Sequence, residues 1–358
     1  MLNNLKTSLF EEHVALNAKI VDFAGWQMPI QYKNLKEEVL AVRENIGVFD
    51  VSHMGEFIVT GTDSINFVDY LVTNDIKSAP MGKAIYSPLC REDGTIIDDL
   101  IVYKIAEEKI LICVNASNID KDFTWIKSQI GTFNCEISNE SEKYSLLAIQ
   151  GPNSFKILKS IDLGFDLKDL DYYSIQVGTD NDTPVMVART GYTGEDGFEL
   201  FGPHLFIKKL WKNLMDKGVT PCGLGARDVL RLEVCFPLYG HELDDNVTPL
   251  DAGLKWTVKL KKDKFIGKDI LSNYNPKYKL LKLELEKGIP REGYIVEDEN
   301  GNNIGHITSG TMSVITKKGI AFARVKSEYL GDIFNIDIRG KKYPANLVKK
   351  PFVVGGHK

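Results

Sequence analysis

The chain reads as an α+β protein that ends in a small β-barrel or sandwich, and three observations carry that reading. Helical and strand patterns alternate irregularly through roughly the first 270 residues, without the regular beat of a parallel strand–helix–strand series. From Leu280 onward short strands separated by turns take over; 281–285 alternates cleanly and Asn300-Gly301 is a strong hairpin dipeptide. At 358 residues the chain also exceeds what one hydrophobic core fills, so more than one domain is expected.

Taken in order, residues 35–46 have the spacing of an amphipathic helix, and Gly47 suits the left-handed position that stops one. Phe57-Ile58-Val59-Thr60 is a strand, with Asp63 placed to cap the helix after it. Residues 118–130 put Ile119, Phe123, Ile126 and Ile130 on one helical face and end at Gly131. Residues 145–149 form a strand leading into Gly151-Pro152, after which a short helix begins. Pro203 opens a helix carrying Phe206, Leu210, Trp211 and Leu214, and Gly218 closes it. The lysine-rich 259–264 and the tract 273–276 read as a solvated connection to the barrel.

Composition narrows the function. A net charge of −5 with no basic-aromatic patch argues against nucleic acid as a partner. No 18-residue apolar run occurs and the N-terminus lacks the apolar core of a signal peptide, so neither membrane nor export is expected and the setting is cytoplasmic. Five cysteines form no CxxC, and six histidines show no paired spacing, which predicts no metal.

Three motifs carry chemistry. The first is the doublet Asp98-Asp99 inside the apolar run Ile96 to Tyr103. Strand alternation sends the two carboxylates to opposite faces, with Ile97, Asp99, Ile101 and Tyr103 on one, so at least one is partly buried. A turn cap plus a structural ion pair explains the doublet as well as a reactive acid does. The second is 189–200, where three glycines within seven residues permit close backbone approach. It lacks the lysine of a phosphate loop. A solvated hairpin turn is the plain reading, but Glu199 lies beyond the turn between Phe198 and Leu200. There it could accept two hydrogen bonds from an amidine-like edge such as that of a pterin. The third is 223–233, which begins like a dinucleotide fingerprint but lacks the third glycine. Arg227 and Arg231 share a helical face, serving either surface ion pairs or an anionic or carbonyl-bearing ligand. Tyrosines at turn–strand junctions (Tyr86, Tyr103, Tyr172, Tyr173, Tyr192, Tyr239) are each explicable as core, yet together suit a flat heterocycle.

With Val21-Asp22-Phe23-Ala24-Gly25-Trp26-Gln27-Met28-Pro29, Phe49-Asp50-Val51-Ser52-His53-Met54-Gly55-Glu56, Tyr239-Gly240-His241-Glu242-Leu243-Asp244 and Gly305-His306-Ile307-Thr308-Ser309-Gly310, these segments resemble the aminomethyltransferase (T-protein) family of the glycine cleavage system. The blocks run in order from the N-terminus to about residue 352. The resemblance implies a three-domain, cloverleaf-like tetrahydrofolate enzyme. The implied division is 1–55 with 136–275 as the central folate-binding region, 56–135 as a second α+β domain, and 276–358 as the barrel. It implies a lipoylated partner, the H-protein, whose lipoyl arm bears an aminomethyl group. Folate N5 attacks the methylene carbon, ammonia leaves, and 5,10-methylenetetrahydrofolate and the dihydrolipoyl carrier result. By motif position the family's essential aspartate falls on Asp99, its pterin-edge carboxylate on Glu199 and its ligand-binding arginine on Arg227. Tyr103, Tyr192, Tyr86, Met54 and Asn115 fall where the family lines its folate slot. The tail 351–358 departs from the pattern, having no tyrosine or arginine where members often bring one back to the ligand; His357 is the candidate substitute. Two other readings are a folate-dependent demethylase of the same superfamily, acting on a sulfonium or methylamine, and a non-catalytic folate-binding accessory protein. The intact doublet favours the aminomethyl reaction over the first, and Asp99 with Glu199 and Arg227 weighs against the second.

Overall fold

Alternating apolar residues at 145–150, 183–188 and 197–202 lay down the middle of the principal sheet, and the rest of its unit is arranged on that frame. The computed structural model describes residues 4–161, 163–164, 166–180 and 183–356; His357 lies outside them. It separates into two units, Met1–Ser87 with Leu100–Arg227 and Gly356–Lys358, and Pro88–Asp99 with Asp228–Gly355.

The first unit opens on helix α1 (Phe10–Ala15) and the hairpin β1 (Lys19–Phe23)–β2 (Trp26–Gln31). Helix α2 (Leu35–Glu44) starts where the Asn34 side chain accepts the Glu37 amide at 2.9 Å, satisfying one of the first-turn N–H groups. Strand β3 (Gly47–Asp50) follows directly. Gly47 therefore does not stop the helix in a left-handed turn: it begins the strand, and its missing side chain leaves space for Val42 and Cys222, which a Cβ would meet at 2.6 and 2.7 Å. After β4 (Gly55–Thr60) comes α3 (Ser64–Leu71). Asp63 stands at its N-cap without making the capping bond; its carboxylate instead accepts the Asn134 amide at 2.9 Å.

Next come β5 (Ala84–Cys90), β6 (Ile96–Ala106), β7 (Lys109–Val114), α4 (Ile119–Ser128) and β8 (Glu136–Asn139). Then follow β9 (Ser145–Gln150), α5 (Ser154–Lys159), β10 (Ile175–Asp180), β11 (Thr183–Ala188) and β12 (Gly197–Gly202). Helix α6 (His204–Asp216), the two-residue β13 (Thr220–Pro221) and helix α7 (Leu224–Glu233) complete the series. Two sheets result, ordered β10-β11-β12-β9-β3-β13 and β5-β6-β7-β4-β8. The first buries Val48, Leu147, Ile149, Val187, Phe198 and Leu200 against Leu158, Phe206, Leu210, Trp211 and Leu214 of α5 and α6. The chain passes between units within β5, β6 and α7.

The second unit holds helix α8 (Lys268–Asn273) and the strands β14 (Tyr278–Leu285), β15 (Ile295–Glu297), β16 (Asn303–Met312), β17 (Gly319–Lys326), β18 (Phe334–Ile338) and β19 (Lys341–Leu347). These strands close into a barrel in the order β14-β17-β16-β15-β18-β19, which decides between the barrel and the sandwich that the alternation allows. Gly301 adopts φ +82° in the β15–β16 turn, the positive value the Asn-Gly dipeptide calls for. The tract 259–264 is more than a solvated connection. Lys262 is buried with its ammonium 5.3 Å from the Phe265 ring centre, and Phe265 packs with Val258 and Leu271.

The start of α7 is fixed by a buried carboxylate. Glu38 accepts the Tyr32 and Lys33 amides on Oε1 at 2.7 and 3.3 Å and the Gly223 amide on Oε2 at 2.8 Å. Burial pushes its carboxyl above the usual range against the pull of those three N–H groups. A Cβ at Gly223 would collide with the Ile30 carbonyl, so only glycine brings the backbone within reach. Gly223→Ala should lower stability by about 1–3 kcal/mol through overpacking, read as a fall in the urea midpoint at constant slope. An unchanged midpoint would mean that the 30–31 backbone yields and the approach is not tight.

Candidate active site

The turn joining β11 to β12 is stapled rather than solvated. Arg189 donates through Nε and Nη2 to the two Asp196 oxygens, both at 2.9 Å. Arg43 reaches the Thr193 carbonyl at 2.6 Å and Glu195 Oε1 at 2.8 Å. Thr193 Oγ1 donates to Gln150 Oε1 at 2.8 Å, and a Cβ at Gly191 or Gly197 would strike that same Gln150 side chain. Two of the glycines therefore serve close approach, while Gly194 takes φ +78°. The solvated-hairpin reading of this motif is overturned.

With Phe198 and Leu200 committed to the core, alternation turns Glu199 to the opposite face of β12. Its neighbours across the ladder are the small residues Ala188 and Ala148. It is nonetheless 7% exposed. Thr190 Oγ1 donates to Glu199 Oε2 at 2.5 Å, and the Tyr103 hydroxyl lies 3.5 Å from Thr190 Oγ1. Burial above all, with Glu199 and Cys113 adding to it, holds the Tyr103 hydroxyl well above its ordinary value, so it stays a neutral donor or acceptor.

Arg227 sits one turn into α7, its guanidinium carbon 4.8 Å from the Tyr192 ring centre, a cation–π distance. Its Nη1 is buried and has no hydrogen-bond partner among the described residues. Burial pushes its pKa below the ordinary arginine value, opposed by Glu199, Tyr192 and Cys113. An acceptor carboxylate and an under-used guanidinium in one environment are suited to a ligand with a donor edge and a separate oxygen acceptor. Arg231, on the same helical face, behaves otherwise. It is buried in the second unit and bound to Glu242 at 2.8 Å, Ser309 at 2.7 Å and Asp228 at 2.9 Å. That satisfied network overturns the surface ion-pair reading and makes Arg231 structural.

The described contacts thus tie Tyr103 to Glu199 through Thr190 and set Tyr192 against Arg227. Met54 is half-buried, its amide bonded to the Val51 carbonyl at 3.1 Å. Tyr86 is half-buried on β5, its carbonyl accepting Asn74 Nδ2 at 2.9 Å. Asn115 is half-buried immediately after β7. Asp99 belongs to the second unit and is half-buried, whereas Asp98 is 0% exposed. Of the doublet, Asp98 is the carboxylate withdrawn from solvent; with Asp245 it helps burial hold the Tyr239 hydroxyl above its ordinary value.

Sequence reasoning missed Thr190 as the support of Glu199, and missed His53. The latter is 3% exposed in the turn between β3 and β4, edge-on to Phe23 at 5.5 Å between ring centres. Its Nδ1 is buried without a partner among the described residues. Only its place within the Asp50–Glu56 block marked it.

Comparison with known proteins follows this geometry. Residues 9–262 match the family model described as the GCVT N-terminal domain, and 279–353 match the glycine cleavage T-protein C-terminal barrel domain. Similar proteins include those named aminomethyltransferase from Thermosipho melanesiensis, 48% identical over 358 residues, and Thermotoga maritima, 48% identical over 359 residues. Each alignment covers 98% of this chain and 98% of the relative. A crystal structure of the glycine cleavage system aminomethyltransferase T from Bartonella henselae superposes with a TM-score of 0.92 at 31% identity, over 98% of this chain and 99% of that one.

Burial pushes the His53 imidazole down to about 4, with Asp50 pulling the other way and Arg227 adding to burial. The unfolded chain regains the ordinary value of 6.5, so it binds the extra proton first as the solution is acidified. The contribution to stability is whole above pH 6.5, is lost as pH falls toward 4, and totals on the order of 3 kcal/mol. His53→Asn should flatten the decline of urea midpoints over that window. Parallel curves for variant and parent would show the ring to be solvated.

Proposed function

The chain belongs to the glycine cleavage T-protein family and is an aminomethyltransferase, and we propose that its first unit holds tetrahydrofolate through Glu199 and Arg227. The reaction moves the methylene carbon from the aminomethyl-lipoyl arm of an H-protein to tetrahydrofolate. It releases ammonia and leaves 5,10-methylenetetrahydrofolate and the dihydrolipoyl carrier. When bound, tetrahydrofolate supplies the nucleophilic nitrogen.

The residues present fit that co-substrate. Glu199 offers its carboxylate to the two donors of the pterin amidine edge while Thr190 pins Oε2 and hence the rotamer. Arg227 donates to a carbonyl or carboxylate oxygen through the Nη1 that no described residue engages. Tyr192 backs the guanidinium, and Tyr103 presents a neutral hydroxyl. Tyr86, Met54 and Asn115 are proposed to line the slot, and Asp99 to hold the folate near N5 and N10, favouring attack and stabilising the positive charge that develops. The proposed functional division is 1–55 with 136–275 for folate, 56–135, and 276–358 for the barrel. The single observation that carries the reading is a buried acceptor carboxylate, Glu199, in the same unit as a half-buried arginine, Arg227, whose buried Nη1 no described residue engages.

Two measurements test it. Incubated with tetrahydrofolate and aminomethylated H-protein, the chain should release ammonia and form methylenetetrahydrofolate, and Asp99→Asn should lose turnover by about 10²-fold or more with the fold intact. Failure of the parent to turn over, or methyl transfer from a sulfonium donor instead, overturns the reaction; near-normal Asp99→Asn returns that residue to a structural role. Glu199→Ala should weaken tetrahydrofolate binding by roughly tenfold, and unchanged affinity would refute its assignment.

A further inference from the structure

Among the staples of the β11–β12 turn, Gln150 has a place that the folate contacts proposed above do not use. It ends β9 and is 0% exposed. Alternation sets it on the face of Ala148, the residue directly opposite Glu199. Its Nε2 donates to the Thr190 carbonyl at 3.1 Å, and its Oε1 accepts the Thr193 hydroxyl at 2.8 Å. A carbonyl only accepts, so the amide nitrogen has to face Thr190 and the amide oxygen Thr193. The Thr193 oxygen in turn accepts the Glu195 amide at 3.2 Å, which leaves its proton for Gln150. The turn makes room for the carboxamide by carrying glycine at 191 and 197, where a Cβ would run into it. One buried side chain thus ties both ends of the span 190–193.

Thr190 passes this order on. Its carbonyl is held by Gln150, and its hydroxyl donates to Glu199 Oε2 at 2.5 Å. A β-branched side chain is stiff at χ1, so the Thr190 hydroxyl goes where the backbone at 190 puts it. A carboxylate that meets two parallel donors must lie in their plane, and a turned carboxylate gives up one of the two bonds.

We propose that Gln150 is a positioning residue for recognition of the pterin edge. It fixes the backbone at Thr190, Thr190 fixes the Glu199 carboxylate, and the paired contact that Glu199 makes depends on a carboxamide whose own polar atoms are committed to the turn. This rests on the folate reading above and adds to it a residue that the sequence motifs do not single out.

The experiment measures binding of tetrahydrofolate, and of its analogue lacking the 2-amino group, to the full-length chain under reducing conditions by tryptophan fluorescence. The analogue has lost one of the two edge donors, so the ratio of the two affinities reports the Glu199 contact and not the general integrity of the turn. The parent should bind the analogue about tenfold more weakly. Gln150→Met keeps the length and removes both polar atoms; it should narrow that ratio to about threefold or less, as should Thr190→Val. The double variant should narrow it no further than either single one, because both act on one carboxylate. If Gln150→Met does not fold, Thr193→Val takes its place, since it releases the carboxamide oxygen and leaves the glutamine. A parent-like ratio in Gln150→Met, or further narrowing in the double variant, overturns the positioning role through Thr190 while the folate reading stands. A parent that does not distinguish the two ligands, or binds neither, overturns the assignment of Glu199 to the amidine edge and this proposal with it.

Discussion

The first unit turns on one buried acid, Glu38. A carboxylate withdrawn from water is costly, and here three backbone N–H groups from two distant stretches of chain offset that cost. The stretches are the 32–33 link after the first hairpin and the glycine that begins α7. Their meeting requires Gly223 to approach the Ile30 carbonyl more closely than any side chain permits. Everything presented by the first turn of α7, Arg227 above all, inherits its place from that contact. A helix start fixed by backbone atoms is stiffer than one held by surface side chains, which is what the folate contact proposed for Arg227 needs.

The second theme is incomplete compensation. Around Arg231 every polar group finds a partner within the protein, and the network is structural. One turn earlier Arg227 has a ring beneath it and a carboxylate in its field, yet retains a buried nitrogen unused. The contrast lies in the surroundings, since the residue type is the same. Folded proteins tolerate such under-satisfaction where a ligand completes it, and the proposed folate contacts are assigned on that basis.

Much of this was legible in the sequence where the signal is local. Alternation around Phe198 and Leu200 predicts which way Glu199 points, and the clean alternation from Leu281 predicts a barrel or a sandwich, of which the barrel forms. Gly47 misled because its need for a small residue comes from side-chain space shared with Val42 and with Cys222, far along the chain, and not from a left-handed backbone at the helix end. Arg227 and Arg231 could not be told apart by spacing, since Glu242 and Ser309 reach only the second. His53 stood inside the Phe49–Glu56 block with nothing to single it out; that its Nδ1 is buried with no partner among the described residues shows only in the fold. Partners distant in sequence are what periodicity cannot see.

The barrel's closure has a counterpart in how the open sheets finish. A closed barrel exposes no strand edge, whereas an open sheet ends in unpaired peptide groups that invite a second molecule to add a strand. Among the described residues the two larger open sheets end in β10, β13, β5 and β8. β13 is two residues long and contains Pro221, β5 is broken by Pro88, and β8 has only four residues, with Glu136 at its start. β10 interrupts its run with Gly178. Three of these rims are too short or interrupted by proline to template a neighbour, while β10, six residues with every amide in place, is the edge on which strand addition would have to fall. The chain thus carries strongly apolar central strands while narrowing the places where a second copy could pair edge to edge.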